Sequence, residues 1–199
     1  AGAIVYTGGT YVENFDSMGA SGTAAPQGWI TGDYTVRQGS QSPESAPNDV
    51  TLTVDDGSDR GADSYNYGTT GQSDRALGNM TGKDDDRAIQ LAVTNDTGTE
   101  ITALNLTYTG EQWRDVKTNA SLPQLLTVWF STDPGSGFES MGGQFSFVAP
   151  SNKGLNGAID GNDAANRTVI SGVYTPDTPI PDGQTFYITW HDPDETRGD

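Results

Sequence analysis

The chain has 199 residues, no cysteine, one histidine and a formal net charge of −17 from 27 acidic and 10 basic residues. Such a charge repels phosphates, so it disfavours nucleic acid and anionic membrane surfaces as partners. No apolar run approaches the length of a membrane span. The length suits one domain, which can bury a core without a disulfide or a metal.

Short runs of alternating apolar and polar residues recur along the chain, whereas amphipathic helical stripes do not. The run 101–108 places Leu104, Leu106 and Tyr108 on one face. The run 125–131 is apolar on both faces, which is typical of a central strand covered on both sides. In chain order we predict strands at 11–15, 34–38, 50–54, 88–94, 101–108, 125–131, 144–148, 168–174 and 185–191.

Turns rich in glycine and aspartate separate nearly all of these runs. Many short strands joined by such turns predict an all-β fold, namely a single antiparallel β-sandwich of jelly-roll type over residues 1–199. The start at Ala1 is typical of a mature end after small-residue cleavage, which predicts a secreted or cell-surface protein. Because an acidic segment follows the last predicted strand, we expect a final C-terminal strand to be missing from this sequence or supplied by another chain.

Six runs spread over most of the chain resemble, in order, a module of secreted and surface-anchored bacterial proteins. This module is often found in marine or planctomycete-like bacteria, in some cases with sorting signals. The runs are 13–17 (ENFDS), 26–29 (PQGW), 74–78 (DRALG), 108–114 (YTGEQWR), 160–162 (DGN) and 186–190 (FYITW). The resemblance implies an extracellular β-sandwich that accompanies other domains or anchors, and it implies no assigned reaction. Members continue past the position of Asp199 into a final acidic strand, from which this sequence departs.

The sequence predicts no catalytic centre. A Ser-His-Asp triad would have to use His191 beside Asp192, yet no nucleophile elbow accompanies them. We interpret His191 as an exposed histidine at a strand end near acidic groups. Paired carboxylates for glycoside hydrolysis are the least favoured alternative, with Glu13, Glu100 and Glu111 in strand-like surroundings.

Calcium is the cofactor that the composition favours, because hard cations bind carboxylate, amide and carbonyl oxygens in tight loops. None of the acidic segments matches an EF-hand, and the alternative for each is a solvated acidic turn. The candidate ligands are Asp55, Asp56 and Asp59, with Asp63 nearby; Asp160, Asn162 and Asp163; Asp192 and Asp194, with Glu195; and the run 84–86.

Carbohydrate is the ligand class that we predict from the aromatic residues. Trp113 is out of phase with the apolar face of 101–108, so its ring, unless Gly110 makes a bulge, is expected to point away from the core and to offer a sugar platform. Tyr65 and Tyr67 form a second candidate platform. Three side chains that can bond hydroxyl groups flank Trp113: Glu111, Gln112 and Arg114.

The alternative for Trp113 is that its ring folds back over the sheet while Arg114 pairs with a loop aspartate. The other three tryptophans, Trp29, Trp129 and Trp190, lie in apolar or strand-like surroundings and are predicted to belong to the core.

The sequence therefore predicts a non-catalytic extracellular module that binds polysaccharide or a cell-surface glycan, with calcium-stabilised loops. The alternative is a structural subunit of a surface layer, filament or matrix, which binds copies of itself through strand addition at sheet edges.

Overall fold

The computed structural model describes residues 2–34, 42–82, 86–115, 124–151 and 153–193. Within these ranges the regular structure is β-strands and short 3₁₀ helices, which confirms the prediction of an all-β protein. The strands are β1 (Ile4–Tyr6), β2 (Trp29–Asp33), β3 (Thr53–Asp55), β4 (Asp63–Tyr67), β5 (Ala76–Met80), β6 (Arg87–Asn95), β7 (Leu104–Glu111), β8 (Arg114–Asp115), β9 (Leu125–Ser131), β10 (Glu139–Ser140), β11 (Phe147–Val148), β12 (Gly157–Ala158), β13 (Arg167–Tyr174) and β14 (Thr185–Asp192). The 3₁₀ helices are Asp16–Ser21, Gly143–Phe145 and Ala164–Asn166.

The main sheet has β14 at its centre, between β6 and β9. Both β1 and β2 pair with β6, β1 against residues 93–95 and β2 against residues 87–91, so they share the edge that β14 leaves open. Likewise β10 and β11 pair with successive parts of β9. The longest strands therefore occupy the middle of this sheet, and short strands cover its two edges.

One face of the main sheet carries the apolar core. Successive strand residues point to opposite faces, and alternate residues of β6, β9 and β14 are buried in one cluster. Trp190 packs there on Trp29, with ring centroids 5.5 Å apart. The other buried members of this cluster on β6, β9 and β14 are Ile89, Leu91, Val93, Val128, Phe130, Phe186 and Ile188.

A two-stranded ribbon of β7 and β13 packs against this core face. Tyr108 of β7 meets Trp190 edge to face at 5.6 Å, and Tyr174 of β13 lies 5.4 Å from Phe130 of β9. Gly110 permits the close approach, since a Cβ atom there would lie 2.2 Å from the Phe147 ring. Accordingly, β7 lies over β14, and β13 lies over the side of the main sheet that leads to β10.

Two strand pairs correct the prediction of a purely antiparallel fold. β1 runs parallel to β6, and β3 runs parallel to β4 in a separate sheet of β3, β4 and β5. Parallel neighbours ordinarily need a connection of about a dozen residues or more, whereas only residues 56–62 separate β3 from β4. The acidic segment that begins at Asp55 forms this short crossover.

The strongest sequence patterns are confirmed as strands. The run 125–131 matches β9 in both bounds, while 88–94, 168–174 and 185–191 fall within β6, β13 and β14. The run 101–108 is displaced to Leu104–Glu111, and it alternates between half-buried and exposed residues as far as Thr109. The run 50–54 overlaps only β3, at its last two positions.

Other strand predictions are wrong. Residues 11–15 form no strand, because the Glu13 carboxylate accepts the Phe15 N–H and Phe15 has a φ of 65°. The run 144–148 starts in a 3₁₀ helix before β11, and Tyr34 follows the end of β2, with 35–38 outside the described residues. Seven strands had no counterpart among the predicted runs: β1, β2, β4, β5, β8, β10 and β12.

Candidate functional site

Trp113, Tyr65 and Tyr67 form a small second core instead of two exposed platforms. Tyr65 stacks on Tyr67 at 4.8 Å, and the exposed fractions of Trp113 and Tyr65 are only 4% and 0%. The predicted exposed position of Trp113 was wrong because β7 ends at Glu111 and β8 begins at Arg114. The alternation of β7 therefore does not continue through residue 113.

The polar neighbours of Trp113 hold neighbouring loops together. The indole Nε1–H donates to Glu111 Oε2 at 3.1 Å. Gln112 Nε2 donates to the carbonyl of Ser151 at 2.9 Å, and Gln112 Oε1 accepts the Ser151 N–H at 2.7 Å. Gln112 is buried, so these bonds leave its amide unavailable to a ligand at the surface.

Arg114 is buried and binds backbone carbonyls, which also corrects the alternative of a pair with a loop aspartate. Its Nη1 donates to Gly57 O at 2.7 Å and to Ser58 O at 3.1 Å, and its Nη2 donates to Asn156 O at 3.2 Å. A guanidinium group has donors enough for several carbonyls at once. Arg114 thereby joins the loop after β3 to the loop before β12.

The first predicted calcium loop, at 55–59, is organised by its own carboxylates. Asp55 accepts the N–H of Gly57 at 2.6 Å and of Asp59 at 3.2 Å. Asp59 in turn accepts the N–H of Gly61 at 2.9 Å. The Ser58 hydroxyl and backbone N–H lower the pKa of Asp56 below its ordinary value. These bonds stabilise the short crossover from β3 to β4.

The second predicted calcium loop, at 160–163, lies beside the first. Asp160 Oδ1 accepts the N–H of Asn162 at 3.0 Å and the Thr69 hydroxyl at 3.4 Å. A Cβ atom at Gly161 would lie 2.4 Å from the Trp113 indole, so this glycine lets the loop rest on the ring. The structure thus brings together segments that are about a hundred residues apart in the sequence.

Burial and neighbouring charges act on the acids of this region. Burial raises the pKa of Glu111, the hydrogen bond from Trp113 lowers it, and the carboxylates of Asp74 and Asp160 raise it further. Burial and the nearby Asp59 raise the pKa of Tyr65 to about 12, so its hydroxyl remains a donor, to Gly61 O at 2.6 Å. Within the described ranges, no three histidine or acidic side chains are grouped so as to hold a metal ion.

The remaining predicted metal ligands lie at other places. Asp163 is exposed, and Asp63 lies 3.9 Å from Arg87. Asp192 is buried at the end of β14, opposite Arg87 in the ladder. Asp194, Glu195, Asp84 and Asp85 lie outside the described residues. Calcium binding by these segments stays a prediction.

His191 is fully buried, which corrects its interpretation as an exposed histidine. It belongs to β14, the central strand, and its Nδ1 lies 2.9 Å from the Tyr34 hydroxyl. Burial and the nearby carboxylates of Asp86 and Asp192 raise the pKa of Tyr34. A buried polar cluster therefore lies where β2 and β14 end. Its signal in the sequence was the position of Tyr34 and of His191, each at or near the end of a strand.

A different pair of aromatic residues reaches the surface. Trp129 of β9 and Tyr187 of β14 are partly exposed, and neither belongs to the core cluster. They point away from that core because Val128, Phe130, Phe186 and Ile188, their neighbours along each strand, point into it. Trp29 and Trp190 are core residues as predicted, whereas the same prediction for Trp129 was wrong. We call this side of the main sheet the outer face. Thr127, Trp129 and Tyr187 are partly exposed on it, whereas Gln90 and Thr189 are buried.

The strand register fixes how these side chains are arranged. Thr189 lies opposite Gln90 on one side and Trp129 on the other, and Tyr187 lies opposite Ser131. Tyr187 and Trp129 are therefore diagonal neighbours, with side chains about 7–8 Å apart. The Trp129 Nε1–H donates to Thr127 Oγ1 at 2.9 Å, which fixes the indole plane. Gln90 is covered, because its amide donates to Pro134 O at 3.0 Å.

The chain is therefore an all-β protein in which the predicted sugar platforms, Trp113 and the pair Tyr65 and Tyr67, are buried. The aromatic pair that solvent reaches, Trp129 and Tyr187, lies on the main sheet. No protein-family model, curated protein or solved structure matches the chain. Among the helices of the described residues, none has the length and apolar character to cross a membrane.

Proposed function

We propose that the chain is a non-catalytic extracellular β-sandwich of jelly-roll type that binds an uncharged polysaccharide or cell-surface glycan on the outer face. The observation that carries this proposal is the pair of partly exposed aromatic residues, Trp129 and Tyr187, on one face of a five-strand-wide sheet. The module retains the ligand class predicted from the sequence, but it binds the ligand at a different place.

The chemistry of the outer face suits a sugar chain. Aromatic rings offer apolar faces to the C–H groups of a pyranose, while neighbouring hydroxyl and amide groups fix the orientation of the ligand. Thr127 is partly exposed beside Trp129 and supplies such a hydroxyl group. Because both rings stand on paired strands, ligand binding need not order a loop, and the entropic cost of association is reduced.

The negative charge of the chain favours neutral glycans over anionic ones. A net charge of −17 repels uronic acid and sulfate groups over about 8 Å at physiological ionic strength. A neutral polysaccharide meets no such repulsion. Calcium in the acidic loops is a separate prediction from the sequence, and the outer face does not depend on it.

Affinity gel electrophoresis with neutral and anionic polysaccharides, together with a glycan array, tests the proposal. We expect retardation by at least one neutral polysaccharide. Trp129→Ala and Tyr187→Ala should each weaken it about tenfold, since a well-placed aromatic contact contributes up to about 1.5 kcal/mol. Trp129→Phe keeps a ring and should retain most of the affinity.

Val12→Ala provides a control, because Val12 is exposed and lies outside the outer face. Circular dichroism establishes that each variant is folded. Binding by Trp129→Ala equal to that of the wild type, or the absence of binding to any neutral glycan, contradicts the proposal.

A further inference from the structure

The β7–β13 ribbon differs from the rest of this acidic chain in its charge. Its sixteen paired residues contain only two charged side chains, Glu111 and Arg167, which lie opposite each other in the ladder. The face turned away from the core is otherwise uncharged. It carries Asn105, Thr107 and Thr109 on β7 and Val169, Ser171 and Val173 on β13, all of them exposed.

Two exposed valines lie on the β13 side of this face. Val169 and Val173 are 67% and 62% exposed, and they lie two positions on either side of Ser171. Natural edge strands are commonly protected from pairing by lysine, proline or inward-pointing charge. β13 is eight residues long and contains none of these apart from the terminal Arg167.

Within the described residues, β13 pairs only with β7, so its other edge presents free backbone groups. This edge lies on the side of the fold that leads to β10, because Tyr174 packs on Phe130 of β9. Glu139 of β10 accepts the Tyr174 hydroxyl at 2.6 Å and the N–H of Asp177 at 3.1 Å. The free edge therefore has a basic end at Arg167 and an acidic end at Glu139 and Asp177.

We propose that β13 is the site at which two copies of this chain pair, edge to edge and antiparallel, about a two-fold axis at Ser171. In this register Val169 lies opposite the second copy's Val173, and the outer-facing residues of both copies stay on one face. Arg167 then lies next to the acidic end of the second copy. The free edge is thus complementary to itself in charge, and the exposed valines of the two copies lie opposite each other.

The size of the ribbon favours edge pairing over stacking of two ribbon faces. Eight residues of strand span about 27 Å, and two strands are about 10 Å wide, so the face covers about 270 Å². A stable interface buries about 800 Å² per partner. Pairing at the edge adds backbone hydrogen bonds, which a face-to-face contact of this area lacks.

Sedimentation velocity of the full chain between about 1 µM and 500 µM tests the proposal. We expect a monomer–dimer equilibrium. Val169→Lys and Val173→Lys, combined, should raise the dissociation constant more than about tenfold, because they place four like charges across the edge. Val12→Lys adds the same kind of charge at an exposed valine elsewhere and should leave the equilibrium unchanged.

Charge exchange tests the register. Arg167→Glu and Asp177→Arg should each weaken self-association about threefold, as expected for an exposed ion pair. An equimolar mixture should form heterodimers more readily than either variant forms homodimers. A monomer at every concentration overturns the proposal, as does a dimer that the two lysines leave intact. Because no part of this test involves the outer face, its failure is distinguishable from loss of glycan binding.

Discussion

Trp113 stacks on Tyr67 with ring planes 3° apart and centroids 6.0 Å apart. Tyr67 belongs to β4, and Trp113 lies in the link between β7 and β8, so the stack connects the three-stranded sheet to the end of the ribbon. Gly57 and Gly161 approach Trp113 from the two acidic loops. Trp113 therefore contacts both acidic loops, and the run from Gly110 to Arg114 stabilises the fold.

Replacing Trp113 by alanine should destabilise the fold by about 3–5 kcal/mol, as expected for the loss of a buried tryptophan. Trp113→Phe, which retains a ring, should cost less. Urea unfolding followed by circular dichroism measures both, and Trp129→Ala gives the comparison for a partly exposed tryptophan. An alanine variant within 1 kcal/mol of the wild type would contradict the role assigned to this stack.

Arg114→Met should cost about 2–3 kcal/mol. Methionine keeps much of the length of the side chain, but it leaves the carbonyls of Gly57, Ser58 and Asn156 without their donor. The exposed Arg60, replaced in the same way, is the matched control and should change the free energy of unfolding by less than about 0.5 kcal/mol. Limited proteolysis of Arg114→Met should cut first in the loops that contain Gly57 and Asn156; cleavage elsewhere first argues against this role.

The long strands could be predicted from the sequence because their burial leaves a local pattern. β7 alternates between half-buried and exposed residues, and β9 is a largely apolar run whose Val128 and Phe130 occupy the core. β4 could not be predicted, since its run Asp-Ser-Tyr-Asn-Tyr contains polar residues that are buried by specific hydrogen bonds. Asn66, for example, is fully buried and donates to Gly19 O at 2.9 Å. Such partners come from distant parts of the chain and leave no local signal.

The site was harder to predict for the same reason. Alternation assigns a side chain to a face only while a strand continues, and β7 stops two residues before Trp113. For Trp129 the apolar surroundings indicated burial, although alternation with Val128 and Phe130 would have placed it on the opposite face. The pairing register across three strands, which brings Trp129 near Tyr187, depends on tertiary structure.

Calcium stabilisation of the acidic loops, predicted from their composition, has a direct test. Chelation should lower the thermal midpoint if Asp55, Asp56, Asp59 or Asp160 binds the ion, since binding to the folded state alone stabilises it. Asp160→Asn should then reduce the response to added calcium, whereas Asp182→Asn, in a separate turn, should not. An equal thermal midpoint with calcium and with chelator would contradict calcium stabilisation of these loops.

Glu111 should make stability depend on pH in a defined direction. Burial raises its pKa in the folded state above the value of 4.5 for a free side chain. A raised pKa contributes stability that is fully present below the unfolded-state value and is lost as the pH rises through the folded-state value. Glu111→Gln cannot ionise, and its amide oxygen can still accept the Trp113 N–H. The variant should therefore gain stability relative to the wild type between pH 4 and pH 7.

The comparison that isolates this effect is the difference in the free energy of unfolding between variant and wild type at each pH, because other acids of the chain titrate in both proteins. Glu100→Gln alters an exposed carboxylate and serves as the control. Denaturant unfolding at pH 4, 5, 6 and 7 should give a difference that grows with pH for Glu111→Gln alone. A difference that is constant or falls with pH would mean that the Glu111 carboxylate is solvated or paired in the folded protein, so that burial no longer dominates its ionisation.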